Sequence, residues 1–248
     1  MVFTRSSAGT ASPATGIGPQ EPAINRRGFV KSLAGLSCLA LTGCVTTERR
    51  VRVTRQPAPE MADPYGMDYK AIYGPLPYER FPVPAVDISK VPRQFLRRRV
   101  DFPANYRPGT LIVDTSTFFL HLVEEGGTAM RYGVGLGRQG FAWSGEGVIQ
   151  WKQEWPKWTP PDEMIARQPE LEKYSAENGG MPPGLDNPLG ARALYIFQNG
   201  EDTLYRVHGT PEYWTIGKAV SSGCVRMMNQ DVIDLYGRVR SGALIVVV

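Results

Sequence analysis

Two reactive side chains stand near each other in a chain that has few of either. Cys224 is one of three cysteines and His208 one of two histidines among 248 residues. Both lie in the stretch VHGTPEYWTIGKAVSSGCVRMMNQD, residues 207–231. A thiol with a base in reach is the minimum equipment for nucleophilic acyl transfer. A free cysteine has a pKa of about 8.5 and is only slightly ionised at neutral pH, so the imidazole must take its proton. The imidazolium can then protonate a departing amine, provided something fixes its tautomer. No carboxylate adjoins His208. Gly223 allows a tight turn before the thiol, and the backbone N–H groups of Gly223 and Cys224 are then available to an oxyanion. One such donor is typically worth about 3 kcal/mol. Arg226, two residues beyond the thiol, supports this loop, binds a substrate carboxylate, or forms a surface ion pair. His121 sits between two leucines in an apolar run with no cysteine or carboxylate cluster beside it, which marks it as structural.

The elements that must hold this pair are mostly strands. Apolar, β-branched runs bounded by glycine pairs predict strands at 109–113, 118–123 and 128–135. Asn199-Gly200 between the runs 190–197 and 203–207 predicts a tight hairpin, with His208 at the end of its second strand. Residues 229–238 carry apolar positions at helical spacing behind Asn229 as a cap, and 241–248 read as a buried final strand. Residues 135–147 are glycine-rich, but without the lysine and hydroxyl of a phosphate loop or dinucleotide spacing. Between 150 and 187 the strand pattern is interrupted. Trp151, Trp155 and Trp158 precede a proline pair, a helix expected over 163–178 with Asp162 near its cap, and a Gly/Pro loop. A long insertion of this kind serves as a lid over a site or as an aromatic packing cluster. The fold class expected is mainly β with short helices.

The first 108 residues are of another kind. Residues 1–23 are rich in Ser, Gly, Ala, Thr and Pro and cannot build a core. Arg26-Arg27-Gly28-Phe29-Val30-Lys31 precedes an apolar run of about a dozen residues, too short to span a bilayer and suited to a signal sequence. It resembles a twin-arginine export signal. Leu41-Thr42-Gly43-Cys44 resembles a bacterial lipoprotein box, which implies a lipid on Cys44 and cleavage before it. Cys224 would then be the one free thiol of the exported protein, a reactive group rather than half of a disulfide. Val45, in place of an aspartate, fits delivery to the outer membrane. Residues 45–108 form a linker rich in Pro and Arg. Its first part, 45–75, reads as a loose tether, and 76–108 reads as chain lying extended along the next domain. Arg97-Arg98-Arg99 reads as a solvated patch, with contact to anionic lipid or wall polymer as the alternative. The net charge of +4 comes from these first 108 residues, since 109–248 carries an acid excess. No basic face there suggests nucleic acid, and no metal-ligand spacing occurs.

His208-Gly209-Thr210, Ile216-Gly217 and Ser221-Ser222-Gly223-Cys224-Val225-Arg226-Met227 together resemble the L,D-transpeptidase family with its YkuD-type catalytic domain. Asp186-Asn187-Pro188-Leu189-Gly190 resembles the family's approach to a central strand. The resemblance covers 109–248. It implies a β-sandwich or partial barrel with a Trp/Pro-rich lid and a C-terminal helix and strand. It implies Cys224 as nucleophile, His208 as general base and acid, the Gly209 carbonyl as its orienter, and Ser221, Ser222 and Gly223 as the oxyanion loop. The family often has His at the position of Ser222, so His208 is the only base left. The implied partner is the peptidoglycan stem peptide. D-Alanine leaves, a thioester forms, and an amine resolves it as a 3–3 crosslink or as the anchor of an envelope protein. Water as acceptor would make a carboxypeptidase, and a wall-binding lipoprotein without catalysis is a third reading. Acylation by carbapenems is a family trait. No cofactor is implied. The expected location is the periplasm, with a lipid anchor in the outer membrane.

Overall fold

The strand that comes last along the chain lies in the middle of the sheet. The computed structural model describes residues 66–103, 105–137, 144–221 and 223–248. The expected signal, Cys44, the tether up to residue 65, and Ser222 lie outside the described residues. In chain order the elements begin with α1 (Tyr69–Ile72), β1 (Arg98–Asp101), β2 (Leu111–Asp114), β3 (Phe119–Val123), β4 (Thr128–Gly133) and β5 (Leu136–Gly137). They continue with β6 (Gly145–Glu154), α2 (Asp162–Arg167), β7 (Arg192–Gln198), β8 (Glu201–Thr210), β9 (Ala219–Ser221), β10 (Val225–Met228), α3 (Asn229–Arg238) and β11 (Ala243–Val247). Nine strands form one mixed sheet in the order β1-β4-β3-β2-β11-β6-β7-β8-β10, and β5 pairs with β9 in a second, small sheet. The apolar run of β11 is flanked by β2 in parallel and β6 antiparallel, so both its edges are hydrogen-bonded. That explains why Ile245, Val246 and Val247 are all buried without alternation.

One core joins strands from both ends of this sheet to α3. Leu111, Leu120, Tyr132, Leu194, Val207, Val225, Met227, Val232 and Leu235 belong to it. The expected helix over 229–238 is α3. Asn229 does not cap it: Met228 occupies that position, and the Asn229 Oδ1 accepts the Ala191 N–H at 2.9 Å. The helix expected over 163–178 ends after Arg167, because Pro169 cannot continue it, and the chain tightens into a 3-10 turn over 169–174. Asp162 is its first residue, with no side-chain cap. The Asn-Gly hairpin is present, with φ of 53° at Asn199 and 84° at Gly200.

The linker expectations need correcting over the described part. Residues 66–75 are not a tether. Asp68 caps α1 through the backbone N–H groups of Lys70 and Ala71. Tyr73 is buried, and its hydroxyl donates to Asp231 on α3 and accepts from the Arg97 N–H. Tyr73, Val91, Phe95 and Leu96 build a second apolar cluster with Ile216 and Met228. The stretch expected to lie extended, 76–108, is not extended throughout: it winds into 3-10 turns at Ile88–Lys90 and Arg93–Phe95 before β1. The arginine run is not uniformly solvated. Arg97 is buried and ion-paired at 2.9 Å with Asp234 and at 3.7 Å with Asp231, whereas Arg99 is exposed and paired with Glu124. Adding β1 to the edge of β4 places Arg97 at the point where it enters the core.

Candidate active site

His208 lies inside β8, not at its end as the sequence suggested. It is paired on one side with Ala193 of β7 and on the other with Arg226 of β10. Residues opposite each other in adjacent strands share a face, as do residues two apart along one strand. Arg206, His208 and Arg226 therefore lie on one face, and Cys224, the residue before β10, follows the same alternation beside Arg206. The polar contacts agree. The Arg206 backbone N–H is a hydrogen-bond donor to the Cys224 sulfur, and the Arg206 and Arg226 charges act on both Cys224 and His208.

The imidazole has one fixed orientation. His208 Nδ1 lies 2.6 Å from the Gly209 carbonyl oxygen, and the ring is only 5% exposed. An oxygen that can only accept makes Nδ1 the protonated nitrogen and leaves the lone pair on Nε2. The close packing of the backbone here explains Gly209: a Cβ at that position would collide with the Asn229 Oδ1 and meet the Ala191 nitrogen at 3.1 Å. Burial lowers the His208 pKa to about 4. The Gly209 hydrogen bond opposes this shift, and the two arginines reinforce it. The ring is neutral at pH 7. Burial also raises the Cys224 thiol above its ordinary value, against the Arg206 N–H and both arginine charges. Both shifts favour the uncharged forms, a thiol at Cys224 and a neutral imidazole at His208. The half-buried thiol donates a long contact, 4.0 Å, to the Leu204 carbonyl.

Leu204 belongs to a feature that the sequence did not announce. Strand pairing steps from Tyr195↔Arg206 to Phe197↔Asp202, so Thr203, Leu204 and Tyr205 bulge opposite Ile196. Side chains fix this bulge. Thr203 Oγ1 donates to the Ile196 carbonyl and accepts from the Tyr205 N–H, and Asp202 Oδ1 accepts the Leu204 N–H. Leu204 has φ of 63°, a strained value for a leucine, and its side chain is 76% exposed. Arg206 is clamped bidentately by Asp202 at 2.6 and 2.7 Å. Asp202 was missed because 199–202 reads only as a turn, and Leu204 and Arg206 because 203–207 reads only as the returning strand. The signal available was parity: Arg206 lies two residues before His208 in one strand.

The remaining expected residues are placed as follows. Gly223 is buried in the turn before β10, with φ of 137°, and a Cβ there would press on the Tyr205 ring at 3.0 Å. Ser221 ends β9. Arg226 is ion-paired with Glu212 at 3.0 Å. His121 stacks on Phe102 and opposes Ile112 and Arg131 across β3, in a different part of the sheet from Cys224. The expected lid over 150–187 loses its first residues to the sheet: 150–154 belong to β6, and 151–154 pair with β7. The excursion proper begins at Trp155 and is tied back by Asn187, whose amide donates to the Pro156 and Pro182 carbonyls. The three tryptophans separate. Trp151 stacks on Tyr195, while Trp155 packs on Phe81 and donates to Glu79. Among the described residues no group of three His, Cys, Asp or Glu side chains could hold a metal.

The sequence profile of the L,D-transpeptidase catalytic domain matches residues 108–248. The chain is 28% identical over 160 residues to the probable L,D-transpeptidase ErfK/SrfK of Escherichia coli strain K12, covering 64% of this chain and 48% of that one. It spans about half the length of that curated relative. A solved structure of a probable carnitine operon oxidoreductase from Brucella melitensis is 44% identical, with a TM-score of 0.45, covering 62% of this chain and 94% of that one. An L,D-transpeptidase structure from Mycobacterium smegmatis is 19% identical, with a TM-score of 0.39, covering 56% of this chain and 58% of that one. With the profile matched over more than half its length, and across every strand from β2 onward, the chain belongs to the L,D-transpeptidase (YkuD) catalytic-domain family.

Proposed function

We propose that the protein is a peptidoglycan L,D-transpeptidase that works through a Cys224 thioester. The observation that carries this reading is the His208 imidazole, held by the Gly209 carbonyl with Nε2 unprotonated, on the same strand face as Cys224. His208 takes the thiol proton as the sulfur attacks the carbonyl between the L-centre of diaminopimelate and D-alanine. The oxyanion forms against the backbone N–H groups at Gly223 and Cys224, in the turn that Gly223 makes possible. Collapse of the intermediate breaks the C–N bond. D-Alanine leaves with the proton returned by His208, and the acyl group remains on sulfur. An amine of a second stem, or of an envelope protein, then attacks the thioester. It gives its proton to His208, and the thiol is restored when that proton returns to sulfur. No metal or cofactor is required. The neutral resting pair suits an exported enzyme, because a protonated thiol oxidises more slowly than a thiolate. Export by the twin-arginine signal and a lipid on Cys44, facing the periplasm from the outer membrane, complete the proposal. Serine at 222 leaves the proton transfers to His208 alone.

The test is incubation with a disaccharide-tetrapeptide, reading D-alanine release and the mass of the intact protein. The wild type should gain the acyl mass and then pass it to an added amine. Cys224→Ala should do neither while melting within a few degrees of the wild type, since it removes one half-buried sulfur. D-Alanine release by Cys224→Ala would sink the mechanism. Tripeptide as the sole product, even with amine present, would convert the reading to a carboxypeptidase.

A further inference from the structure

Cys224 stands at one end of a row of side chains that crosses the sheet. Arg206 of β8 is opposite Tyr195 of β7, and Tyr195 is opposite Trp151 of β6. From Arg206 to Trp151 the side chains are in contact. The Arg206 guanidinium lies 4.3 Å from the Tyr195 ring centre, and the Trp151 and Tyr195 rings stack at 3.8 Å with only 11° between their planes. Asp202 holds Arg206 from behind. Tyr195 is thus fixed between a cation and an indole, while Trp151 keeps 41% of its surface exposed. An indole left in water at the end of a rigid row costs hydration that a bound ligand would relieve.

β10 is the end strand of the large sheet, with Gly135 bridged to Arg226 on its outer edge, and in the other direction the sheet surface leading away from Cys224 crosses β8, β7 and β6 in turn. At about 4.8 Å per strand, Trp151 lies about 14 Å from the thiol. Resting on the function proposed above, the donor stem supplies a matching length. Three residues precede the scissile bond and extend over ~10 Å. The lactyl ether that joins the stem to its sugar accounts for most of the remainder.

We infer that Trp151, set by Tyr195 and Arg206, is the platform on which the saccharide of the donor stem rests. The indole face carries the negative part of the ring quadrupole, and the axial C–H groups of a pyranose present a weakly positive apolar face to it. The enzyme would therefore recognise stems still attached to glycan in preference to free peptides. Trp151 is a specificity-determining residue that touches neither the thiol nor the scissile bond.

The experiment is calorimetric titration of the full-length protein with two unreactive products, the free tripeptide and the disaccharide-tripeptide. In the wild type the disaccharide should tighten binding about tenfold, one decade of dissociation constant. The advantage should fall below twofold in Trp151→Ala and survive in Trp151→Phe, which keeps an aromatic face. As a check that needs no variant, the Trp151 indole N–H resonance of the wild type should shift when the disaccharide alone is added. A disaccharide advantage that is absent in the wild type, or that persists in Trp151→Ala, overturns the inference, as does a resonance that does not move. D-Alanine release on the same preparations separates the two readings. Release without the sugar preference removes this inference alone. A Trp151-dependent preference without release removes the transpeptidase reading alone.

Discussion

At the scale of single residues, the chemistry turns on which proton is where. Burial holds His208 neutral down to about pH 4, where an ordinary histidine would charge near 6.5. A base is useful only when unprotonated, so kcat/KM for D-alanine release should lose its acid limb near pH 4 and stay flat through pH 6. A limb centred near 6.5 in a pH–rate profile would show the imidazole to be solvated in the free enzyme. Cys224 and His208 were the candidates the sequence offered because their types are rare here and their flanking glycines have a physical use. Gly209 was named for its carbonyl, and that carbonyl meets Nδ1. The bulge at Thr203–Tyr205 was not legible. It depends on Thr203 and Asp202 bonding to backbone groups of their own hairpin, and a hydrophobic pattern carries no trace of that.

At the scale of elements, α3 and the hairpin at Asn199-Gly200 were readable because each satisfies a local rule: apolar residues on one helical face, and two consecutive positive φ values. The role of Asn229 was not readable, because its partner is 38 residues away. Its buried Oδ1 takes the Ala191 N–H and fills the space against Gly209 and Gly190. Asn229→Ala leaves that N–H without an acceptor and should destabilise the protein by about 1–3 kcal/mol, read by urea unfolding. Because Gly209 also orients His208, turnover of the folded variant should fall as well. Proline at 169 explains why the helix expected over 163–178 is cut to α2: the apolar pattern continues through it, but the backbone cannot.

At the scale of the whole molecule, the segment read as a linker proves to be part of the domain over its described length. Tyr73, Arg97, Asp231, Asp234 and Tyr132 form one polar network that joins it to α3 and β4. Proline content argued correctly against regular structure there, but it could not foretell burial, which depends on aromatic anchors finding partners more than a hundred residues later. Burial raises Asp231 to about 7 from 3.8, against the pull of Arg97 and Tyr73. The folded state therefore holds this proton more tightly than the unfolded state does. The resulting stability is complete below pH 3.8 and is lost as pH rises through 7. Relative to Asp231→Asn, the wild type should lose up to about 4 kcal/mol between pH 4 and pH 8 in paired denaturation curves. A difference that is constant with pH would mean that Asp231 is ionised throughout.

The place of β11 bears on timing. Within the large sheet, β11 is the strand that joins β2, at the edge of the half built from β1 to β4, to β6, at the edge of the half that carries His208, and it leaves the ribosome after every other strand of the sheet. Until it emerges, β2 and β6 each present a bare edge to the other, and the closing contacts to β2 span more than a hundred residues. Cys224 and His208 are thus made before the strand that completes the sheet holding them. An unfinished chain carries the thiol but not the organised site, so under the proposed function the order of synthesis keeps the thiol from acting until the sheet can close.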